Sequence, residues 1–329
     1  MNKSSSMSWG WIIFAVLSLL LVAGVGLSLV GAALGGGAES ATGERIGVIE
    51  LSGAISDEGA SGVLGGSTGG AREIIEQIEK SRRDASIKAV VIRVNSPGGS
   101  AAASQEMFNA VQKLKAAKPV VCSMGDLAAS GGYYVAAACD TIYANGSTLT
   151  GSIGVISQFL NYGALFRKVG LDETTIKSGQ FKDAGNPSRP LTPQEKQLFQ
   201  AMINDVYRQF VDDIAKGRKG KLTRAQIVKL ADGRVYTGSQ AQKLKLVDKI
   251  GGLSEAISEA AKRASISGEP KVKYLSSRGG LLGSLMGSSN ESSAAKFSSE
   301  IGKSAGESFA RSLIQQLKAE SATNVPALR

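Results

Sequence analysis

The chain has 329 residues, a formal charge of +10 and no histidine, which bounds it to one or two domains and excludes any catalytic scheme that needs imidazole. Two cysteines, Cys122 and Cys139, are too few for a disulfide framework; both sit in apolar runs and read as small buried hydrophobes, with a single disulfide as the alternative in an oxidising compartment. Few aromatic residues are interleaved with the basic ones, which argues against nucleic acid as a partner, whereas the positive charge suits anionic lipid headgroups.

Residues 1–10 form a short polar stub. From Trp11 to Leu34 no residue is charged, a run long enough to cross a bilayer core of about 30 Å at about 1.5 Å per residue. Residues 11–34 are therefore expected to be a transmembrane helix, with Trp9 and Trp11 at its interfacial start; a cleaved signal peptide has a shorter apolar region. Lys3 and the terminal amine set against Arg45 favour a cytoplasmic N-terminus. In a bacterium this places the remainder on the periplasmic or extracytoplasmic side of the inner membrane.

After a linker at 35–44, the folded part is expected over 45–275. Ile46–Leu51 reads as a buried strand, a Gly/Ser-rich loop follows to Gly70, and Ile74, Ile75 and Ile78 recur at helical spacing within 71–82. Strand 89–94, the turn Asn95-Ser-Pro-Gly-Gly99, helix 101–115 and strand 119–124 continue the alternation. A helix from Ser130 to about Ala138 follows, then strands at 141–144, 154–157 and 173–177 with a helix at 162–169 between the last two. The longest soluble helix, 192–216, opens with Thr192-Pro-Gln-Glu195, a cap, a first-turn proline and an acidic residue. Shorter helices are expected near Ala225 and Ser239. Alternating strands and helices imply βαβ units and a mostly parallel sheet. The tail, 276–329, is Gly/Ser-rich to Ser293 and is expected to be disordered there. Apolar residues at i+4 spacing from Phe297 to Leu317 then suggest an amphipathic helix over 295–318.

Ser130 lies in Ala128-Ala-Ser-Gly-Gly132, where small neighbours leave room for a substrate backbone and the first helical amides can face negative charge developing on a carbonyl oxygen. A tight turn with a helix cap is the plainer reading. Pro97-Gly98-Gly99 ends another strand at the same sheet edge, so two loops can flank one pocket, with Gly98 and Gly131 offering backbone amides. Without histidine, a serine nucleophile needs a lysine as its base, and a lysine acts so near neutrality only when burial disfavours its charged form. Lys177 and Lys182 are equal candidates on this reasoning.

Five ordered blocks, Asn95-Ser-Pro-Gly-Gly99, Gly125-Asp-Leu-Ala-Ala-Ser-Gly-Gly-Tyr-Tyr134, Thr150-Gly-Ser-Ile-Gly-Val155, Lys177-Ser-Gly-Gln-Phe-Lys-Asp183 and Ala231-Asp-Gly-Arg-Val-Tyr-Thr-Gly238, together resemble the signal peptide peptidase A (protease IV) family in its short single-domain bacterial form. The resemblance implies a ClpP/crotonase-like α/β fold and a membrane-anchored serine endopeptidase with a Ser/Lys dyad, acting on apolar peptides left from cleaved signal peptides. It assigns Ser130 as nucleophile, Lys182 as base, Ser152 as the residue orienting the base, and Gly98 and Gly131 as oxyanion donors, with no metal or organic cofactor. It also implies a ring-shaped homo-oligomer on the membrane whose active sites draw serine and lysine from adjacent subunits. Lys245 departs from the family pattern, which has glycine before Leu-Val-Asp. Competing expectations are a stomatin-operon-type membrane protease, a crotonase-like acyl-CoA enzyme and a catalytically silent membrane scaffold.

Overall fold

Three apolar runs make the middle of the sheet: Arg45–Ser52 (β1), Ile87–Ser96 (β2) and Val120–Ala129 (β3). Their side chains alternate between two cores with the period of two that a strand imposes. Ile49, Leu51, Val90, Ile92, Val120 and Cys122 enter one core, while Ile46, Val48, Ala89, Val91 and Val121 enter the other. A sheet buried on both faces is what continuous apolar strands in a parallel sheet predict. β1 runs parallel to β2 with Val48 opposite Val91, and β2 runs parallel to β3 with Ile92 opposite Cys122. The computed structural model describes residues 44–58, 60, 61, 67, 68 and 70–275.

Thr141–Ala144 (β4) and Leu149–Gly151 (β5) both pair in parallel with β3, the second beyond the end of the first. Val235–Thr237 (β6) adds antiparallel to β5. Lys249–Ile250 (β7) and Lys271–Tyr274 (β8) extend the parallel part at its two sides, giving the order β8-β1-β2-β3-β4-β7. The larger core is closed by helices α1 (Ala71–Arg83), α2 (Ala101–Lys115) and α3 (Gly131–Ala137), and the opposite face by the helix Leu253–Arg263 through Ala256, Ala260 and Ala261. In α1 the buried Ala71, Ile74 and Ile78 form one stripe, and Lys80, Arg82 and Arg83 complement the carbonyl end of the helix dipole.

The expected mostly parallel α/β alternation is present, but three of the expected strands differ. β3 runs through Gly125 to Ala129 instead of stopping at Met124, because Asn95 covers Gly125 and its Oδ1 accepts the Leu127 amide at 3.1 Å. The expected strand at 154–157 is irregular chain, and the strand of that region is Leu149–Gly151. The expected strand at 173–177 is also irregular: every residue in it is exposed, Ile176 at 96%, and β-branched residues favour a strand only where a pleated neighbour half-buries them. Between Ser152 and Thr192 the regular element is the short helix Gly163–Lys168. The long helix α4 (Pro193–Gly217) begins as expected, with Thr192 and Glu195 forming a reciprocal capping box.

Among the described residues no helix is long and apolar enough to cross a membrane. The expected spans 11–34 and 295–318 lie outside the described residues.

Candidate active site

Ser130 stands between β3 and α3 with φ 52° and ψ −119°. A non-glycine residue held in such a conformation costs about 1–3 kcal/mol, so its surroundings must enforce it. They do so from both sides. The Ser130 amide donates to the Gly151 carbonyl at 2.8 Å, and the Tyr134 amide closes the first helical turn onto the Ser130 carbonyl at 2.9 Å. The strand leading into the turn is pinned by two threonines: Thr150 Oγ1 donates to the Ala128 carbonyl at 2.6 Å and Thr148 Oγ1 to that of Gly125 at 2.7 Å. All seven residues of α3 are buried.

The two loops read from the sequence do meet. A Cβ added to Gly98 would lie 2.6 Å from the Gly131 nitrogen and 2.8 Å from Ser130 Cβ, and Gly98 itself has φ +96°, so glycine is required here for both contact and conformation. Gly131 is equally confined, because a Cβ there would come within 2.3 Å of Ser104 Oγ. The two glycines differ in what their amides are doing. As the first residue of α3, Gly131 has no intrahelical acceptor for its amide, whereas the Gly98 amide donates to Ser96 Oγ at 3.1 Å.

Ser130 and Gly131 open onto a cavity of about 310 Å³, walled by Gln105 of α2, Tyr134 of α3, Ile156 of the irregular chain after β5, and Val206 and Phe210 of α4. Sequence reasoning missed the α2 and α4 walls, since Gln105 and Phe210 look like ordinary helix residues until the two helices are seen to converge.

Ser152 follows β5 directly, with φ 48° and its amide donated to the Arg234 carbonyl at 2.8 Å. It is one residue from the carbonyl that holds Ser130, yet it is not part of the cavity wall. Lys182 is also absent from that wall. It is exposed on a turn spanning 179–185, and its ammonium makes no hydrogen bond or ion pair among the described residues. Lys177, its equal on the sequence, is committed: its ammonium bonds the Gln180 carbonyl at 3.1 Å and pairs with Asp183.

The turn carrying Lys182 is fastened to α4. Arg189 bridges Asp183 (2.9 Å) and Glu195 (2.6 Å), the capping residue of that helix. Hydrogen bonds from Lys177 and then Arg189 hold the Asp183 carboxyl down at about 2, and Arg189 together with the Thr192 amide does the same for Glu195. Cys122 and Cys139 are both buried and unbridged, and burial pushes the Cys139 thiol well up.

The model of peptidase family S49 matches residues 112–267, and that of Clp protease matches residues 66–145. A protein of Methanocaldococcus jannaschii named as a protease is 36% identical over 83% of this chain and 89% of its own length. One of Enterococcus faecium named as a signal peptide peptidase is 34% identical over 76% of this chain and 72% of its own. The chloroplastic serine protease SPPA of Arabidopsis thaliana is 39% identical over 70% of this chain, which spans only 34% of that longer relative. The Clp-type match fits the parallel sheet with Gly98 and Ser130 at the ends of neighbouring strands, and the S49 match runs through both Ser130 and Lys182. On these grounds the chain belongs to the signal peptide peptidase A family, peptidase family S49, and is a serine peptidase with a ClpP-like α/β fold.

Proposed function

We propose that this peptidase uses Ser130 as nucleophile and Lys182 as base, that the two come from adjacent copies of the chain, and that it is a membrane-anchored enzyme degrading apolar peptides such as signal peptide remnants. The observation that carries the reading is the strained Ser130 backbone at the mouth of a cavity, beside the first amide of α3, which has no acceptor within its helix. Sharing between copies is supported by the exposed Lys182, which lies outside the wall of its own chain's cavity, and by exposed apolar side chains along the chain that precedes it, among them Leu160, Leu171 and Ile176. The anchor rests on the uncharged stretch 11–34, and the substrate class on the family.

In this scheme a neighbouring copy buries Lys182, which favours its neutral amine. The amine takes the Ser130 Oγ proton as Oγ attacks the scissile carbonyl. The Gly131 amide faces the oxyanion, and Gly98 becomes the second donor when it exchanges Ser96 Oγ for that oxygen. Lys182 then protonates the leaving amine, and water, deprotonated in turn, releases the acyl group. Ser152 sits one residue from the Gly151 carbonyl that fixes Ser130, a place from which it can orient an incoming amine.

Full-length Ser130→Ala and Lys182→Ala proteins in detergent should each be inactive on a leucine- and alanine-rich fluorogenic peptide. Mixed in equal amounts, with subunit exchange verified by fluorescence transfer between labelled chains, they should recover about a quarter of wild-type activity, since intact junctions re-form at random. Verified exchange with no recovery would discard the shared site.

A further inference from the structure

The cavity beside Ser130 carries a polar arrangement that the catalytic scheme does not use. Gln105 reaches from α2 to α4, where its amide nitrogen donates to Asp213 Oδ2 at 3.2 Å and lies 3.5 Å from Gln209 Oε1. Asp213 is only 4% exposed, and it also accepts from the Tyr134 hydroxyl and the Lys216 ammonium, each at 2.6 Å. Burial pushes the Asp213 carboxyl up, but the bonds from Lys216, Tyr134 and Gln105 outweigh it and hold the group below its ordinary value. Gln209 is oriented in the same way, its amide nitrogen donating to Asp205 at 2.9 Å.

A carboxamide has a donor end and an acceptor end, and an ionised carboxylate can only accept. Asp213 therefore fixes which way Gln105 faces, because the reversed amide would set carbonyl against carboxylate. The amide nitrogen is used up in that contact. The Gln105 carbonyl oxygen takes no hydrogen bond among the described residues, and the side chain that carries it forms part of the cavity wall.

We propose that Gln105, oriented by Asp213, is a specificity residue whose carbonyl accepts a hydrogen bond from the substrate side chain entering the cavity, favouring a carboxamide such as glutamine over methionine of similar shape. The walls from Tyr134, Val206 and Phe210 would pack on the methylenes of either side chain. Only the carboxamide satisfies the acceptor. Lysine is disfavoured, since its charge would be buried against a neutral carbonyl while the nearby Asp213 is already neutralised by Lys216. The inference rests on Ser130 being the nucleophile, because that places the scissile bond at this cavity.

The test uses full-length protein in detergent and peptides in which each residue flanking the cut is methionine, glutamine or lysine, with cleavage sites mapped by mass spectrometry. For wild type, kcat/KM should be about tenfold higher for glutamine than for methionine at one flanking position, and lower for lysine than for either. Gln105→Met should bring the glutamine-to-methionine ratio close to one. A wild-type ratio at or below one at both positions, or a ratio that Gln105→Met leaves unchanged, overturns the proposal while leaving the nucleophile intact. Cleavage that survives Ser130→Ala, or none by wild type, overturns the nucleophile assignment and this inference with it.

Discussion

Replacing Gly98 with alanine tests how tightly the frame around Ser130 is built. The new methyl would lie 2.6 Å from the Gly131 nitrogen, 2.8 Å from Ser130 Cβ and 2.9 Å from the Ala129 carbonyl oxygen, at φ +96°. None of these neighbours is the far end of a flexible side chain. The loop cannot retreat the other way either, because the Ile55 amide donates to the Gly98 carbonyl at 2.8 Å and the Ile55 carbonyl takes the Ser100 amide at 2.9 Å. Left-handed backbone strain of about 1–2 kcal/mol and overpacking of about 1–3 kcal/mol give a penalty of about 2–5 kcal/mol. At about 2–4 °C per kcal/mol for a domain of this size, the unfolding temperature should fall by about 4–20 °C. Any part of the strain relieved by moving the loop separates Gly98 from Gly131 and should lower turnover about a hundredfold or more. Gly170→Ala is the control: φ there is +75° with nothing among the described residues within 4 Å of the added carbon, so only the backbone cost of about 1–2 kcal/mol applies and turnover should hold. Circular dichroism melts and fluorogenic-peptide turnover would be recorded together on the full-length chain. If Gly98→Ala matched Gly170→Ala in both, the confinement argument would be wrong.

Lys245 occupies a left-handed position, φ 62°, at the end of the helix Gly238–Lys243, where the Leu246 amide bonds the Ala241 carbonyl at 2.9 Å and the Lys245 amide bonds that of Gln242 at 3.0 Å. Glycine is the residue this helix-ending motif favours, so Lys245→Gly should raise stability by about 0.5–1 kcal/mol in urea denaturation; a loss would show that the lysine makes contacts that outweigh its strain. Asp183 and Glu195 have folded-state pKa values held at about 2, below ordinary values of 3.8 and 4.5, so the stabilisation they give is present above about pH 4.5 and is lost as pH falls toward 2. Amide exchange in the 179–185 turn should therefore accelerate over that window relative to the core of α2 after correction for intrinsic rates. An unchanged ratio would mean that the Arg189 bridge does not fasten the turn.

Much of this was legible from the chain because local signals and burial agree. The continuous apolar runs of β1 and β2, the capping box at Thr192 and the small residues around Ser130 each dictate one local structure, and the structure has them. What escaped depends on distant neighbours. Leu149–Gly151 is too short to stand out and exists because β3 and β6 flank it. Glu173–Lys177 has strand-forming residues but, among the described residues, no neighbour to half-bury them. Asp213 reads as a solvated helix charge until Tyr134 and Gln105 arrive from two other helices. Position in sequence also could not separate Lys177 from Lys182; the two differ only in their surroundings, Lys177 pairing with Asp183 while Lys182 is exposed.

Glu195 has a double engagement whose effect is mechanical. One carboxylate both caps α4 and grips Arg189, so the lysine-bearing turn is joined to the end of a 25-residue helix, a lever about 37 Å long. About 20 Å along that lever, Val206 and Phe210 wall the cavity of the same chain. If Lys182 serves a neighbouring copy, as proposed, each lever would join the base that a chain lends with the pocket that it keeps for itself. Peptide pressing on the wall of one site would then bear on the base of the next, and the two sites would turn over as coupled events instead of independent ones.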